Sequence, residues 1–379
     1  MDEQTTLQPA PYVWTGPPLA AARSLPAECY RGEAFFRAEM AHIHRKTWFI
    51  VGRTDELPNP GDYRAIDTVG GPVLLVRDEA GVLRAHANFC RHRGSLLLTG
   101  GGNVRSISCP YHAWLYRLNG ALAGAPAMAG TPGFDKRDHG LLPVRLETWD
   151  GFVFLNFDAA APSLRDDLGN LPELLGSHRM GELVCTWRFE IEARCNWKLL
   201  VENASETYHT GTVHAATVGA QKSVTFPARG EWMGMQVLST GSIAVLGGQP
   251  ALPQIEGLSA QARQGTFFVL LHPTTQFACA QDCVWWLTVR PLAADRTVLS
   301  IGGCFPQSVT LLPDFAEHAR PYYDRWERVA REDMGILEHL QNACGSALYT
   351  PGPLSWRDDM VHSFNQWVLG RLGGAGMDG

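Results

Sequence analysis

The sequence reads as α+β in two parts: a small all-β domain, then a larger part that combines long strands of an antiparallel sheet with helices. Three observations predict it. Between Trp48 and Phe157, short β-rich runs alternate with turn signals. Beyond Leu183 the strand-like runs lengthen. From Leu312 to Gln341 the residues Tyr322, Trp326, Val329, Asp333, Ile336 and Leu340 recur at three- and four-residue steps, the period of a helix.

Taken in order, residues 1–29 are Pro-rich and read as an irregular arm. Arg31–Lys46 carries Phe35, Phe36, Met40 and Ile43 at near-helical spacing and reads as one helix. Trp48–Val51, Tyr63–Thr68, Pro72–Arg77 and Val82–Asn88 read as strands, separated by turns at Asn59–Asp62, Gly70–Gly71 and Glu79–Gly81. Further strands are expected at Ser106–Ser108, Ala113–Leu118 and Val144–Phe157, with Asn119–Gly120 as a hairpin turn. Composition shifts near Pro162. Leu164–Leu175 reads as a helix, Leu183–Ala193 as a strand, and Trp197–Tyr208 as a helix. Phe267–Leu271, Val284–Arg290 and Thr297–Cys304 read as long strands, and Asp358–Leu372 as a last helix. The tail, Gly373–Gly379, is Gly-rich and expected to fray. No internal repeat is visible.

The chain has 379 residues, enough for two or three domains. With 18% charged and 45% hydrophobic residues it has a globular, not a disordered, composition. A net charge of −6 argues against a nucleic-acid or anionic-membrane binder. No apolar run approaches bilayer length. The start, Met1–Gln4, is acidic and lacks a signal pattern, so a cytoplasmic location is expected. Nine cysteines at irregular spacing do not form a disulfide framework.

Two stretches carry candidate chemistry. In Asn196–His214, Glu202 and Glu206 are one helical turn apart and His209 follows three residues later, so the three share a face. His209 and His214 are five apart, a spacing that rotates them away from each other on an ideal helix. A distorted or ending helix around Gly211 would bring both imidazoles to one point. Two histidines and a distant carboxylate make the ligand set of a non-haem ferrous site. A polar helix with incidental histidines would look the same.

The second stretch lies in the β domain: Cys90-X-His92 and, after sixteen residues, Cys109-X-X-His112. Two loops, each offering a thiolate and an imidazole, suit a structural zinc ion. They also suit a Rieske [2Fe–2S] centre, with two Cys on one iron and two His on the other. Gly94 and Gly100–Gly102 supply loop backbone that can reach sulfur, Pro110 stiffens the second loop, and Tyr111 and Trp114 add shielding bulk.

With Asn196–Trp197–Lys198, Glu202–Asn203 and Tyr208–His209 following these pairs in order, the chain resembles the α (terminal oxygenase) subunit of Rieske non-haem iron oxygenases, over nearly its whole length. The resemblance implies an all-β Rieske domain at 46–160 and a helix-grip catalytic domain at 161–379, to which the arm and helix of 1–45 belong. It implies Cys90, His92, Cys109 and His112 as cluster ligands. It implies His209 and His214 as ligands of a mononuclear Fe(II), with Asp333 as the third. Glu332, Asp324 and Glu338 compete with Asp333, but Asp333 falls on the apolar helical stripe and Glu332 does not. Glu206, three before His209, is implied as a bridge from His209 to His112 of an adjacent chain. Asn203 is implied as a hydrogen-bonding neighbour of the iron, unless it simply bonds solvent.

The activity implied is hydroxylation or oxidative demethylation of a small organic substrate by O2. Electrons come from NAD(P)H through a separate reductase or ferredoxin. The longer acid at Glu206 resembles members that act on quaternary ammonium compounds; an aromatic substrate is equally open. Contact between neighbouring subunits implies a homotrimer. The competing expectation is a Rieske electron carrier with a non-catalytic second domain. Among twelve tryptophans, Trp232, Trp285 and Trp286 would be core, or line a pocket or an ammonium cage. Arg91 and Arg93 would form a docking patch for the redox partner, or only solvate the loop. His272, His318, His339 and His362 are expected at the surface or in hydrogen bonds.

Overall fold

The computed structural model describes residues 18–247 and 249–373. Most of the expected N-terminal arm and nearly all of the expected frayed tail lie outside these residues. The chain divides into two compact units, Trp48–Leu164 and Arg165–Gly379 with the N-terminal segment up to Thr47.

The smaller unit is all-β. Its strands are β1 (Phe49–Arg53), β2 (Asp62–Thr68), β3 (Gly71–Arg77), β4 (Leu83–Ala87), β5 (Gly101–Asn103), β6 (Ile107–Ser108), β7 (Leu115–Tyr116), β8 (Leu122–Gly124), β9 (Arg145–Trp149) and β10 (Phe152–Asn156). They form three antiparallel sheets, ordered β1-β10-β9, β4-β3-β2-β5 and β6-β7-β8. The single strand expected over Val144–Phe157 is a hairpin. Asp150 and Gly151 both adopt positive φ, 49° and 83°, the geometry of a tight two-residue turn. The loops carrying the two Cys/His pairs follow β4 and β6. They pack on a core of Leu74, Val76, Trp114, Tyr116 and Leu118.

The larger unit holds the helices α1 (Ala27–Arg31), α2 (Glu33–Glu39), α4 (Leu171–Leu175), α5 (Trp197–Asn203), α6 (Thr210–Val213), α7 (Gln307–Thr310), α8 (Phe315–Ala343) and α9 (Asp359–Gly373), while α3 (Leu164–Leu168) begins at the boundary. Its sheet comprises β11 (Leu183–Ala193), β12 (Ser223–Thr225), β13 (Trp232–Leu238), β14 (Gly265–Leu271), β15 (Thr275–Cys279), β16 (Val284–Ala293) and β17 (Arg296–Pro306). All seven strands are antiparallel, in the order β11-β17-β16-β15-β14-β13-β12. Alternation sends Met235, Trp285, Val289, Leu299 and Ile301 to one face, where they join Trp197, Tyr322, Trp326 and Phe364 from the helices in one core. No described helix is long and apolar enough to cross a membrane.

Three expected helices are shorter than their periodicity suggests. Arg31–Lys46 breaks at Gly32, whose backbone is extended (ψ 117°), and ends in a π-type turn over Met40–His44. Leu164–Leu175 breaks at Gly169, where φ is +51° and an added Cβ would strike the Arg229 carbonyl. Trp197–Tyr208 ends at Asn203. There the Ser205 hydroxyl bonds back to the Val201 carbonyl at 2.6 Å, and local side-chain bonds of this kind compete with the helical ladder. On α8 the buried stripe runs through Tyr322, Trp326, Ala330, Leu337 and Gln341. Ile336 and Leu340, expected on it, are 40% and 46% exposed, because a 3.6-residue period drifts from a fixed step.

Candidate metal centres and active site

In the smaller unit the backbone presents the first loop through Cys90 N–H to the Ser95 carbonyl and Gly94 N–H to the Cys90 carbonyl, 2.8 and 2.9 Å. The second loop closes through Cys109 N–H to Trp114 O and Ala113 N–H to Cys109 O, 2.8 and 3.0 Å. The Cys90 and Cys109 thiols are buried and free of a disulfide. The His92 and His112 rings lie 4.9 Å apart. His92 stacks on Trp114 at 5.0 Å and Tyr111 on His112 at 3.7 Å. His112 Nδ1 is buried without a hydrogen-bond partner. Burial pushes the Cys109 thiol up, but the N–H groups of His112 and Tyr111 outweigh it and hold the thiol below its ordinary pKa. Two buried thiols, one of them thiolate-favouring, beside two imidazoles with an orphaned nitrogen fit a mixed Cys/His cluster.

The hydrogen bond to sulfur comes from a residue the sequence reading passed over. Tyr116 Oη lies 3.3 Å from Cys90 Sγ and accepts the Arg91 N–H at 3.0 Å. Of the two aromatics singled out, Trp114 is buried, whereas Tyr111 is 55% exposed. The Tyr111 hydroxyl accepts from Arg93 at 3.1 Å. Arg91 reaches the Gly140 carbonyl at 3.4 Å.

In the larger unit His209 and His214 stand at the two ends of the four-residue α6. That short turn solves the five-residue spacing: the rings meet at 5.1 Å. Glu206 is not on a helix with Glu202, as the sequence suggested. It takes the backbone N–H groups of Tyr208 and His209 on Oε2, and its Oε1 lies 2.5 Å from His209 Nδ1. Glu202 instead faces Tyr30, whose hydroxyl reaches both its oxygens at 2.9 and 3.0 Å. Asp333 Oδ1 lies 3.1 Å from His214 Nε2 and 3.9 Å from His209 Nε2. The three potential ligand atoms fall within 4.8 Å of one another. Asn203 Nδ2 approaches Asp333 Oδ1 at 3.5 Å.

Glu332, set aside as a ligand because it lies off the stripe, has another place. Its Oε2 takes His214 Nδ1 at 2.9 Å and the Thr217 hydroxyl at 2.7 Å. Both imidazoles therefore turn Nδ1 to a carboxylate and Nε2 to Asp333, the arrangement that frees Nε2 lone pairs for a metal. Burial pulls the His214 pKa down, but Asp333 and Glu332 outweigh it and hold it above the ordinary value. Two oriented imidazoles and one carboxylate at the wall of a cavity fit the ligand set of a non-haem ferrous ion.

The triad opens onto a cavity of about 140 Å³, lined by apolar residues of the sheet and α8. Trp285 and Trp326 line it, stacked at 5.6 Å, and so does Arg325. Trp286 points away, beneath Arg188, and Trp232 is buried in β13. His272 is not a surface residue. It is buried, stacked on Trp367 at 4.6 Å, and burial lowers its pKa to about 4. His318 is partly exposed and bonded to the Asp314 carbonyl at 3.1 Å.

Comparison with known proteins agrees with this geometry. The best-covered relatives include the glycine betaine monooxygenase oxygenase subunit of Pseudomonas aeruginosa, 27% identical over 92% of this chain and 89% of that one. The carnitine monooxygenase oxygenase subunit of Escherichia coli is 39% identical over 196 residues. That match covers 51% of this chain and 52% of the relative, so the aligned part spans about half its length. The quaternary ammonium Rieske monooxygenase structure described as informing on carnitine oxidation and inter-subunit electron transfer superposes with a TM-score of 0.80 at 26% identity, over 93% of this chain and 96% of that one. Residues 47–135 match the Rieske [2Fe-2S] domain, which sets the zinc alternative aside. Residues 180–374, just over half of the chain, match the ring hydroxylating alpha subunit (catalytic domain), which sets aside an electron carrier with a non-catalytic second domain. With the Cys/His loops inside the first matched region and the His/His/Asp convergence inside the second, the chain belongs to the Rieske-type ring-hydroxylating alpha-subunit family.

Proposed function

We propose that the chain is the terminal oxygenase of a multicomponent system. It uses O2 and electrons from NAD(P)H, delivered by a reductase or ferredoxin, to hydroxylate or oxidatively demethylate a small aromatic or quaternary ammonium compound. The observation that carries this reading is the meeting of His209, His214 and Asp333 at the wall of an apolar cavity, in a chain that also holds a Rieske domain. His209, His214 and Asp333 hold a mononuclear Fe(II); Cys90, Cys109, His92 and His112 hold the [2Fe–2S] cluster. When bound, these groups supply one-electron storage and O2 activation.

The chain's own residues do the positioning. Glu206 and Glu332 hold the Nδ1 protons of His209 and His214, which fixes both tautomers. Asn203 donates to Asp333 Oδ1 and orients the carboxylate. The apolar lining keeps bulk water from the reacting carbon. The Rieske domain spans 46–160, and the catalytic domain 161–379 together with 1–45. Glu206 would link His209 to His112 of a neighbouring subunit in a homotrimer; the relative described for inter-subunit electron transfer supports electron passage between subunits. Nine cysteines without a disulfide support a reducing, cytoplasmic setting.

The test is oxygen uptake coupled to product formation, with a surrogate reductase and a panel of betaines and aromatic acids. Asp333→Ala should abolish product while the visible absorption of the cluster persists. Undiminished product from that variant would remove Asp333 from the site.

A further inference from the structure

Away from the metal triad and its neighbours, the polar residues lining the cavity include Gln221, Gln276 and Arg325, and among the lining residues Arg325 alone carries a fixed positive charge. Arg325 stands on α8, eight residues before Asp333, about 12 Å away along the helix axis. Its side chain lines the cavity although the residue is only 5% exposed. Its guanidinium carbon lies 5.8 Å from the Trp285 ring centre. Among the described residues no carboxylate lies within ion-pair distance of it and no acceptor takes its N–H groups. Two acidic groups act on its charge, Cys283 and Glu332. Burial holds the Cys283 thiol well above its ordinary pKa, hence neutral. Glu332 is committed to His214, Thr217 and Arg328. Burial lowers the Arg325 pKa only to about 10, so it remains a cation at neutral pH.

An isolated buried cation is costly, and five fixed N–H donors without acceptors add to that cost. Such a group facing a ligand cavity is resolved by a ligand that brings the missing charge. The guanidinium fork matches a carboxylate in two parallel hydrogen bonds. We propose that this cavity selects substrates bearing a carboxylate, which Arg325 binds while the apolar body runs along Trp326 and Val329 toward His209 and His214. The acids Glu206, Asp333 and Glu332 gather at the far end, so a zwitterion with its cation there, or an uncharged ring, satisfies the same polarity. A ligand with a cation and no carboxylate leaves Arg325 unpaired. The assignment rests on the oxygenase reading of the cavity and narrows its substrate class.

The experiment measures binding to the anaerobic holoenzyme by tryptophan fluorescence, since Trp285 and Trp326 line the site. The probes are γ-butyrobetaine and 3-phenylpropanoate, each against its methyl ester. At least one acid should bind tenfold or more tightly than its ester, in keeping with a charge-assisted bidentate contact. Arg325→Gln should bring that ratio to within twofold, with the cluster spectrum as the folding check, and Arg325→Lys should restore part of it. Equal affinity of acid and ester in the wild type, no saturable binding by either acid, or a preference that survives Arg325→Gln overturns the assignment. Oxygen uptake separates the two readings. Turnover of neutral compounds without an acid preference would leave the oxygenase standing and remove the role of Arg325. Acid binding through Arg325 with no oxygen uptake by any probe would do the reverse.

Discussion

A carboxylate one position before Asp333 decides which nitrogen of His214 is free. Glu332 Oε2 sits 2.9 Å from His214 Nδ1, and Glu206 does the same for His209 at 2.5 Å. Replacing Glu332 by Ala leaves His209, His214 and Asp333 in place but releases the His214 imidazole to rotate and change tautomer. Iron affinity should fall about 10- to 100-fold, read by competition with a chelator, while the cluster spectrum is unchanged. Unaltered affinity would show that Thr217 and packing alone orient the ring. Glu202, one turn back from the site, is a stability residue. Burial pushes its carboxyl up to about 7, against the hydrogen bond from Tyr30 and the charge of Lys198. A raised folded pKa means that its stabilising contribution is full below the unfolded value of about 4.5 and is lost as pH rises through 7. Glu202→Gln does not ionise. Its unfolding free energy should therefore gain on the wild type by about 2 kcal/mol between pH 4.5 and pH 8, a value discounted for partial solvent access. A difference independent of pH would mean that Glu202 ionises as freely in the fold as in the unfolded chain.

At the scale of elements, α5 is held to the N-terminal helices by a dry ion pair. Lys198 Nζ and Glu39 Oε1 are 2.5 Å apart, both side chains are fully buried, and the rings of Tyr30, Phe35 and Trp197 surround the ammonium. Lys198→Met strands the Glu39 charge and should cost about 3–5 kcal/mol in denaturant unfolding. Adding Glu39→Gln should recover much of it, since the pair and not the packing is lost. The sheet meets α8 through a glycine. A Cβ at Gly303 would lie 2.1 Å from the Trp326 ring, so Gly303→Ala should cost about 1–3 kcal/mol and weaken ligand binding by displacing a cavity wall. Binding and stability both unchanged would show that the indole can shift freely. Elements of this kind differ in how much the sequence reveals. Leu183–Ala193 carries its alternation openly and its bounds are those observed. The hairpin at Asp150–Gly151 announces itself by an Asp-Gly pair, but apolar residues on both sides hide it in one run. The end of α5 at Asn203 depends on side-chain bonds from Ser205 and Glu206 to the backbone, which periodicity does not register. Asp333 stands out in the sequence as a carboxylate that interrupts an apolar stripe, and the fold brings it beside His209 and His214. Arg325 interrupts the same stripe beside Trp326, a signal of the same kind. Glu332 and Tyr116 act through contacts with distant loops, and only the folded chain shows those.

At the scale of the whole molecule, one chain carries both a Rieske domain and the catalytic domain of a non-haem iron oxygenase. Of these, the Cys/His spacing and the order of the motifs were visible in the sequence. The convergence of two loops, one short helix and α8 required the fold. The presence of two distinct iron centres in one chain can be tested by metal analysis without knowledge of the substrate. Iron and acid-labile sulfide measured on the purified protein should give about three irons and two sulfides per chain, and Asp333→Ala should lower iron to about two with sulfide unchanged. An iron-to-sulfide ratio of one in the wild type, fully reconstituted with ferrous iron, would contradict it.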